Sequence, residues 1–288
     1  MSWTPPPTGK VWTPGPRSSN PVPPPEAPGT MPWDRGKVWT PGQSPAPAPE
    51  PAPVAPVDPQ GGLVKAWSAS ILDKFETCRY QVFLGKVKKV KEEKSEAADR
   101  GSLIHEYAEN YVKGEIPEMP EELKKYEAQF ERLKERYAEG HIHLEEAWGF
   151  DINWKATGWM AKDIWARMKL DAFDREDANS GKVIDHKTGR KWGNEVKHNR
   201  QAMIYAVGAF KRFPELEFVT TEFWYLDKNE EPLVNHYNRK KIAILEPRVT
   251  ARAIRMTSCN DFTPNPGESQ CRFCPYAKNN ACEWSFYK

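Results

Sequence analysis

The chain has 288 residues, and its 42 basic and 40 acidic side chains leave a formal net charge of only +2. This balance gives no sign of the global basic field that proteins coating nucleic acids carry. There is no apolar stretch long enough to span a bilayer, and no charged start followed by an apolar run, which argues against a signal peptide. We therefore expect a soluble cytoplasmic protein with no membrane partner.

The amino-terminal part differs in composition from the rest. Residues 1–60 hold 19 of the 27 prolines and almost no aliphatic run. Such a segment cannot bury enough apolar surface to offset the entropy lost when it is ordered. We predict a disordered, Pro-rich tail over residues 1–62, followed by one domain over residues 63–288.

A tryptophan motif recurs in the tail. Lys-Val-Trp-Thr-Pro-Gly occurs around Trp12 and again around Trp39, and Trp3 lies in a partial copy. One interpretation is duplication within an unselected linker. The other is a docking motif, in which the indole anchors a partner and polyproline geometry lowers the cost of ordering. Residues 43–59 are typical of a semi-rigid spacer.

The domain begins with helices and continues with strands. Helices are predicted from Ser68 or Ser70, over 101–112, and along an apolar stripe from Leu123 to Tyr137. Strands are predicted over 143–152, 164–175, 182–186, 217–227 and 233–239. Two further helices are predicted, over 199–213 and 246–256. Helices that flank a run of strands, with one helical crossover, indicate an α/β layered fold.

The most informative motif is Asp185-His186-Lys187, at the end of the third predicted strand. Because side chains alternate along a strand, Asp185 and Lys187 point to the same face. A carboxylate beside an ammonium can hold a divalent metal and stabilise an anionic transition state, as phosphodiester cleavage requires. Taken alone, such a pair is more often a surface ion pair.

Other segments add polar side chains to this motif. Asp171 lies on the preceding predicted strand, so two adjacent strands can bring two carboxylates within reach of Mg²⁺ or Mn²⁺. His105 lies early in a helix, where a histidine is usually a satisfied interface residue. Gln201 and Tyr205 are four residues apart and share one helix face, from which they can orient the lysine or touch a substrate.

In this order, the segments resemble the RecB-like branch of the PD-(D/E)XK nucleases. That family has a helix with Gly-x-x-x-His, a strand with a metal-binding Asp, a strand with Asp/Glu-x-Lys, and a helix with Gln-x-x-x-Tyr. The matching segments here are 101–105, Asp171, 185–187 and 201–205. The resemblance covers 68–282 and excludes the tail. One departure is that Met168 and Lys169 stand where the family often has Gly before the metal-binding Asp.

The resemblance implies a restriction-endonuclease-like core, with a central mixed sheet flanked by helices. The implied ligands for Mg²⁺ or Mn²⁺ are His105, Asp171, Asp185 and the backbone carbonyl of His186. The implied catalytic residues are Asp171, Asp185, Lys187, Gln201, Tyr205 and Glu146. The family tends to carry a glutamate on the preceding strand, and Glu145 is the alternative to Glu146 for that position.

The cysteines form a second pattern. Cys271 and Cys274 make a chelating pair, and Cys282 follows after seven residues. Disulfides are not expected in a reduced cytoplasmic chain. Three thiolates need a fourth ligand, and the spacing alone favours structural Zn²⁺ over an iron–sulfur cluster.

The resemblance favours iron–sulfur instead. A subgroup of the family, which includes CRISPR-adaptation nucleases, has one cysteine before the nuclease motifs and three after them. Carried over, the ligands of a 4Fe–4S cluster are Cys78, Cys271, Cys274 and Cys282, within a carboxy-terminal subdomain over 259–288. Cys259 is left as a small buried or surface thiol. Such a cluster has a structural role, because hydrolysis moves no electrons.

The resemblance implies a metal-dependent deoxyribonuclease, more specifically an exonuclease in recombination, repair or phage DNA processing, encoded by a phage and acting in the host cytoplasm. The alternatives are a CRISPR spacer-acquisition nuclease and a catalytically idle DNA-binding or scaffold protein. Expected partners are DNA, as single strands or resected duplex ends, and a single-strand-binding, annealing or replisome protein held by the tail. Trp154, Trp159 and Trp165 either stack on unpaired bases or pack in the core.

Overall fold

The computed structural model describes residues 58–92, 95–227 and 229–287. The predicted tail lies outside the described residues, except for 58–62, and both tryptophan repeats lie outside them. Residues 58–62 contact the end of the last long helix, where the backbone N–H of Gly62 donates to the carbonyl of Thr257 at 2.8 Å. A Cβ on Gly62 would lie 2.6 Å from backbone atoms of Cys259, so glycine is required for this approach.

Helices precede, connect and follow the strands. The hydroxyl of Ser68 caps the first helix by accepting from the N–H of Ile71. Over the described residues, the α-helices are α1 Ala69–Thr77, α2 Arg79–Val82, α3 Glu96–Lys113, α4 Glu127–Ala138, α5 Glu195–Arg212, α6 Arg239–Thr257, α7 Glu268–Cys271 and α8 Pro275–Lys278. A π-helical segment, Phe83–Val87, follows α2, and a 3-10 helix, Glu121–Tyr126, precedes α4.

The strands of the described chain form two sheets. They are β1 Ile142–Leu144, β2 Ala147–Phe150, β3 Ala156–Thr157, β4 Ala166–Lys169, β5 Ala172–Asp174, β6 Ser180–Lys187, β7 Phe218–Tyr225 and β8 Leu233–Asn238. The larger sheet has the order β1-β5-β6-β7-β8, and the smaller has the order β3-β2-β4. The β6–β7 pair is parallel and is joined by α5, whereas the other pairs are antiparallel. The mixed sheet with one helical crossover confirms the predicted α/β fold.

The first two predicted strands are each broken in the structure. The sequence predicted continuous strands over 143–152 and 164–175, whereas each forms two strands that belong to different sheets. At the break, Glu145 adopts a left-handed backbone with φ of 49°, and its N–H donates to the carbonyl of Asp171 at 3.0 Å. Asp171 consequently lies at a corner between the two sheets and outside the regular strands.

The last long helix is longer than predicted. The sequence indicated a helix over 246–256, but α6 begins at Arg239, where the side chain of Asn238 accepts from the N–H of Lys241 at 2.9 Å. Pro247 lies inside this helix. No helix within the described residues is long and apolar enough to cross a membrane.

The larger sheet separates two hydrophobic clusters. Val183 of β6 belongs to a cluster that includes residues of α1, α5 and α6, and Ile184 belongs to a second cluster with residues of α3 and α4. Alternation along β6 therefore directs Asp185 towards α5 and His186 towards α3 and α4. The ring of His186 lies 5.2 Å from that of Phe130, on α4.

Candidate active site

Asp171 connects two histidines at the corner between the sheets. Its Oδ1 lies 3.1 Å from Nδ1 of His105, on α3, and its Oδ2 accepts from the backbone N–H of His186 at 2.6 Å. The Nδ1 of His186 lies 3.9 Å from the same Oδ2. One ligand atom from each of the three side chains lies within 4.8 Å of the other two, so the group can hold a metal ion.

The pKa values of His105, Asp171 and His186 show how charge is distributed in this ligand group. Burial opposes the charged form of His105, but the hydrogen bond and charge of Asp171 outweigh it and raise the pKa of the imidazole. The pKa of Asp171 is lowered against its own burial, chiefly by the hydrogen bond from His105. Burial lowers the pKa of His186 to about 4, which keeps this imidazole neutral near pH 7. Carboxylate and neutral imidazole are the forms that bind metals, so an ion at this site would displace the proton that the raised pKa favours on His105.

A second group of polar side chains surrounds Asp185, on the face of β6 opposite to the His186 side chain. Its Oδ1 accepts from Nε2 of Gln201 at 3.2 Å and from the hydroxyl of Tyr205 at 3.1 Å. Its Oδ2 lies 2.5 Å from Nζ of Lys187, which also donates to Oε1 of Gln201 at 3.2 Å. The structure therefore brings together the four residues that strand alternation and helix spacing placed side by side.

The buried carboxylate of Asp185 tests whether a divalent cation fits. Burial and the charge of Asp171 raise the pKa of Asp185, although Lys187 opposes them. Oδ2 of Asp185 contacts the ammonium of Lys187 at 2.5 Å, whereas the buried Nε2 of His186 has no hydrogen-bond partner among the described residues. A divalent cation would offset the repulsion between the carboxylates of Asp171 and Asp185. Carboxylate and imidazole donors together fit a divalent cation, without selecting Mg²⁺ or Mn²⁺ over other ions.

The sequence did not identify the imidazole of His186 as a candidate ligand. It assigned only the backbone carbonyl of this residue, and that assignment stays a prediction. Alternation along β6 placed the imidazole on the face opposite Asp185 and Lys187. Because the corner at Asp171 turns that carboxylate towards the same face, the imidazole joins the ligand group. This corner has no signal in the sequence.

The two candidate glutamates contact other partners. Oε2 of Glu146 accepts from Nε1 of Trp148 at 2.9 Å, and Oε1 lies 3.4 Å from Nδ1 of His143. Glu145 forms an ion pair with Lys169. Neither glutamate belongs to the three-residue ligand group. A catalytic role for Glu146 therefore stays a prediction.

Three tryptophans of the small sheet and its loops have different environments. Trp154 and Trp165 are buried, and their indole N–H groups donate to threonine hydroxyls of α6. Both rings meet that of Trp67 edge to face. Trp159 is 36% exposed. Core packing is confirmed for the two buried rings, so only Trp159 is available to stack on a base.

The cysteines predicted as ligands converge on one small cavity. Its lining includes Cys78, Cys271, Cys274 and Cys282. Burial, together with the neighbouring thiols, raises the pKa of both Cys274 and Cys282. Within the described chain, no three of these sulfurs lie within 4.8 Å of one another. Cys259 is not part of the cavity lining, and its thiol donates to the carbonyl of Asp261 at 2.8 Å.

Comparisons with known proteins identify the family. A family model described as the PD-(D/E)XK nuclease superfamily matches residues 66–282. No curated protein matches significantly. The crystal structure of SSO0001 is similar at 14% identity and a TM-score of 0.41, over 77% of this chain and 88% of that chain. A "Putative exonuclease" from Eubacterium rectale is similar at 15% identity and a TM-score of 0.40, over 75% and 88% of the two chains. Since the family model spans most of the sequence, this chain belongs to the PD-(D/E)XK nuclease superfamily.

Proposed function

We propose that this protein is a Mg²⁺- or Mn²⁺-dependent deoxyribonuclease that hydrolyses phosphodiester bonds from DNA ends. The observation that carries the proposal is the metal-ligand group of His105, Asp171 and His186 beside the buried pair of Asp185 and Lys187. Family membership supports the nuclease class. The choice of DNA, of these ions and of attack from an end belongs to the proposal.

Each residue of the site has a distinct task. His105, Asp171 and the imidazole of His186 would hold the ion, and Asp185, on the other face of β6, stays a predicted further ligand. When bound, the ion would lower the pKa of a water molecule and polarise the scissile phosphate. The ammonium of Lys187 orients the attacking water or offsets charge that develops on the phosphorane.

The helix α5 positions these groups. Gln201 accepts from Lys187 and donates to Asp185, so one amide fixes the distance between the ammonium and the carboxylate. Tyr205 adds a second donor to Asp185 at 3.1 Å and also receives a hydrogen bond from Gln201 at 2.6 Å. Because both side chains project from one face of α5, they preorganise the pair before substrate binds.

We place the protein among the RecB-like exonucleases because of the order of its motifs. The proposed role is recombination, repair or phage DNA processing in the cytoplasm of a host cell. A CRISPR spacer-acquisition nuclease is the alternative, and a neighbouring integrase gene would favour it over a neighbouring annealing-protein or recombinase gene. The buried contact between Lys187 and Asp185 favours an active enzyme over an idle DNA-binding protein.

Removal of divalent ions is expected to stop cleavage. The assay uses end-labelled single-stranded, blunt and resected duplex DNA, with the protein first treated with EDTA. Since a bound metal stabilises the transition state by several kcal/mol, we expect the rate to fall about 10³-fold and to recover on addition of Mn²⁺ or Mg²⁺. The product ladder reports polarity and strand choice. Cleavage that is indifferent to the chelator would contradict the metal site.

We also propose that the cysteine cavity holds a 4Fe–4S cluster and not a single Zn²⁺ ion. The convergence of Cys78, Cys271, Cys274 and Cys282 on one cavity supports a group held by four thiolates. The family resemblance favours iron–sulfur over zinc for that group. Because hydrolysis transfers no electrons, the cluster would be structural, joining the α1–α2 junction to the carboxy-terminal segment.

The tail, which lies outside the described residues, is proposed to tether a partner protein. Two full copies of the tryptophan motif allow one to rebind when the other releases, which raises avidity. Replacing Trp12 and Trp39 by Ala should abolish capture of a single-strand-binding, annealing or replisome protein and leave cleavage of naked DNA unchanged. If the double variant retains such a partner as wild type does, the motif is not the anchor.

A further inference from the structure

A cleft of about 580 Å³ adjoins the active site. Gln201 and Tyr205, which hold Asp185, form part of its lining. Trp159 and Met160, in the loop between β3 and β4, form another part, and Met160 is 82% exposed. The cleft therefore runs from the residues that position the reacting groups to the solvent-exposed surface of the protein.

Most of the charged residues that line this cleft are basic. Four cationic side chains line it, namely Lys74, Lys86, Arg167 and Lys169, against the single carboxylate of Glu92. Lys74 and Glu92 form an ion pair at 2.6 Å, and Lys169 forms an ion pair with Glu145, which lies outside the lining. The positive charge of Lys86 and Arg167 remains to attract phosphate groups, and a cleft concentrates that field.

Trp159 is held in a defined position at the cleft. The Nε of Arg167 donates to the backbone carbonyl of Trp159 at 3.0 Å, and its guanidinium carbon lies 5.5 Å from the centroid of the indole. The hydroxyl of Thr157 donates to Asp163 at 3.0 Å across the same loop. A partly exposed indole that is fixed beside cationic groups provides a surface on which an unpaired base can stack.

We propose that this cleft binds an unpaired DNA strand, with Trp159 as the base-stacking residue that selects single strands. Arg167 positions the indole, and the basic side chains contact the phosphates. Bases inside a blunt duplex are already paired and stacked on both faces, so only a terminal pair presents a face to the indole, whereas every base of a single strand does. This inference rests on the proposed nuclease function and adds to it a preference for single-stranded or resected DNA.

The test measures binding without cleavage. The full-length protein is titrated in EDTA against a fluorescent oligonucleotide and against a blunt duplex of the same sequence, and fluorescence anisotropy is recorded. Trp159→Ala is expected to weaken single-strand binding about 5- to 150-fold, the measured range for removal of one aromatic stacking contact. Duplex binding should change less than about twofold, and Trp159→Phe should retain most single-strand affinity, because a phenyl ring still stacks.

Trp192 provides a matched control. It is 71% exposed, and the guanidinium carbon of Arg190 lies 5.5 Å from its ring, as in the Arg167–Trp159 pair. It is not among the residues that line the cleft. Trp192→Ala should therefore leave single-strand binding within about twofold of wild type.

Three results would overturn the inference: no effect of Trp159→Ala, an equal effect on the duplex, or an equal effect of Trp192→Ala. A separate cleavage assay in Mn²⁺ distinguishes this failure from failure of the proposed function. If Trp159 governs single-strand binding but wild type cleaves no DNA, the stacking role holds and the nuclease proposal fails. If wild type cleaves and Trp159→Ala binds normally, only the stacking role fails.

Discussion

Replacing Asp185 by Asn, or Lys187 by Ala, is expected to lower the rate of DNA cleavage by at least about 10³-fold. Asn retains the volume of Asp185 and an oxygen that can accept from Gln201 and Tyr205, but it removes the negative charge. Lys187→Ala removes the ammonium that lies 2.5 Å from the carboxylate. Because both groups act on one transition state, the double variant should be little worse than either single variant.

The variants should remain folded. The carboxylate of Asp185 is buried, and burial is the largest contribution to its raised pKa, so its charge is costly in the folded state. A neutral amide at this position therefore relieves the desolvation of the carboxylate, and the ammonium of Lys187, whose side chain is 22% exposed, keeps its hydrogen bond to Gln201. Lys187→Ala leaves the buried carboxylate without its counter-charge, so we expect a loss of up to about 3 to 5 kcal/mol of stability, and circular dichroism checks that the variant is folded. Asp171→Asn is expected to have the same effect on cleavage, because it weakens the contacts to both histidines.

Lys182 provides a control from the same strand. It lies near the start of β6 and forms an ion pair with Glu176 at 2.8 Å, away from Gln201 and Tyr205. Lys182→Ala also removes an ammonium from β6, but we expect cleavage within about twofold of wild type, as for a pair without a role in the site. Single-turnover cleavage of end-labelled DNA in Mn²⁺ measures all variants. Near-normal cleavage by Asp171→Asn or Asp185→Asn would remove the proposed metal site.

Local periodicity was sufficient to predict the part of the site that faces α5. Asp185 and Lys187 are separated by one strand repeat, and Gln201 and Tyr205 by one helical turn. Each spacing fixes a shared face without information from distant residues. The single helical crossover was predictable for the same reason, since strong patterns mark β6, α5 and β7, whereas the mixed sheet was implied by the family resemblance.

The part that the sequence did not predict depends on tertiary structure. Glu145 adopts a left-handed backbone where the first predicted strand breaks, beside the corner at Asp171, yet a glutamate carries no signal for this conformation. The place of the His186 imidazole in the candidate ligand group follows from that corner. Likewise, Trp154 and Trp159 occur in one short segment, and tertiary contacts such as the packing of Trp154 against Trp67 distinguish the buried ring from the partly exposed one.

Replacing Cys271 by Ala is expected to remove the proposed cluster and to destabilise the domain by about 5 kcal/mol. The estimate treats the cluster as a cross-link between Cys78 and the carboxy-terminal cysteines, which closes a loop of almost two hundred residues. Loop-closure entropy grows slowly with length, so a cross-link of this span lies near the upper end of the known range. Urea unfolding of protein purified without oxygen measures the loss.

Colour and metal content identify the group in the cavity. Wild-type protein should be brown, with broad absorbance at about 400 nm, as expected for a 4Fe–4S centre held by thiolates. It should contain about four iron and four sulfide ions per chain. Cys271→Ala should be pale and depleted of iron. A colourless wild-type protein with one equivalent of zinc would show that the cysteine spacing was the better guide, and that the group is tetrahedral Zn²⁺.

Cys259→Ala is a control that distinguishes the loss of a cluster ligand from the loss of any buried thiol. Like Cys271 it is buried, but its thiol donates to the carbonyl of Asp261 and lies outside the cavity lining. Cys259→Ala removes the same atom from the same carboxy-terminal region, so we expect normal iron content and a loss of only about 1 kcal/mol.

The proposed cluster would also affect substrate binding, because Cys78 directly follows α1, and residues of α1 line the cleft. Loss of iron should therefore weaken single-strand binding in Cys271→Ala and leave it unchanged in Cys259→Ala, whereas equal losses in both variants would contradict a structural cluster at this site.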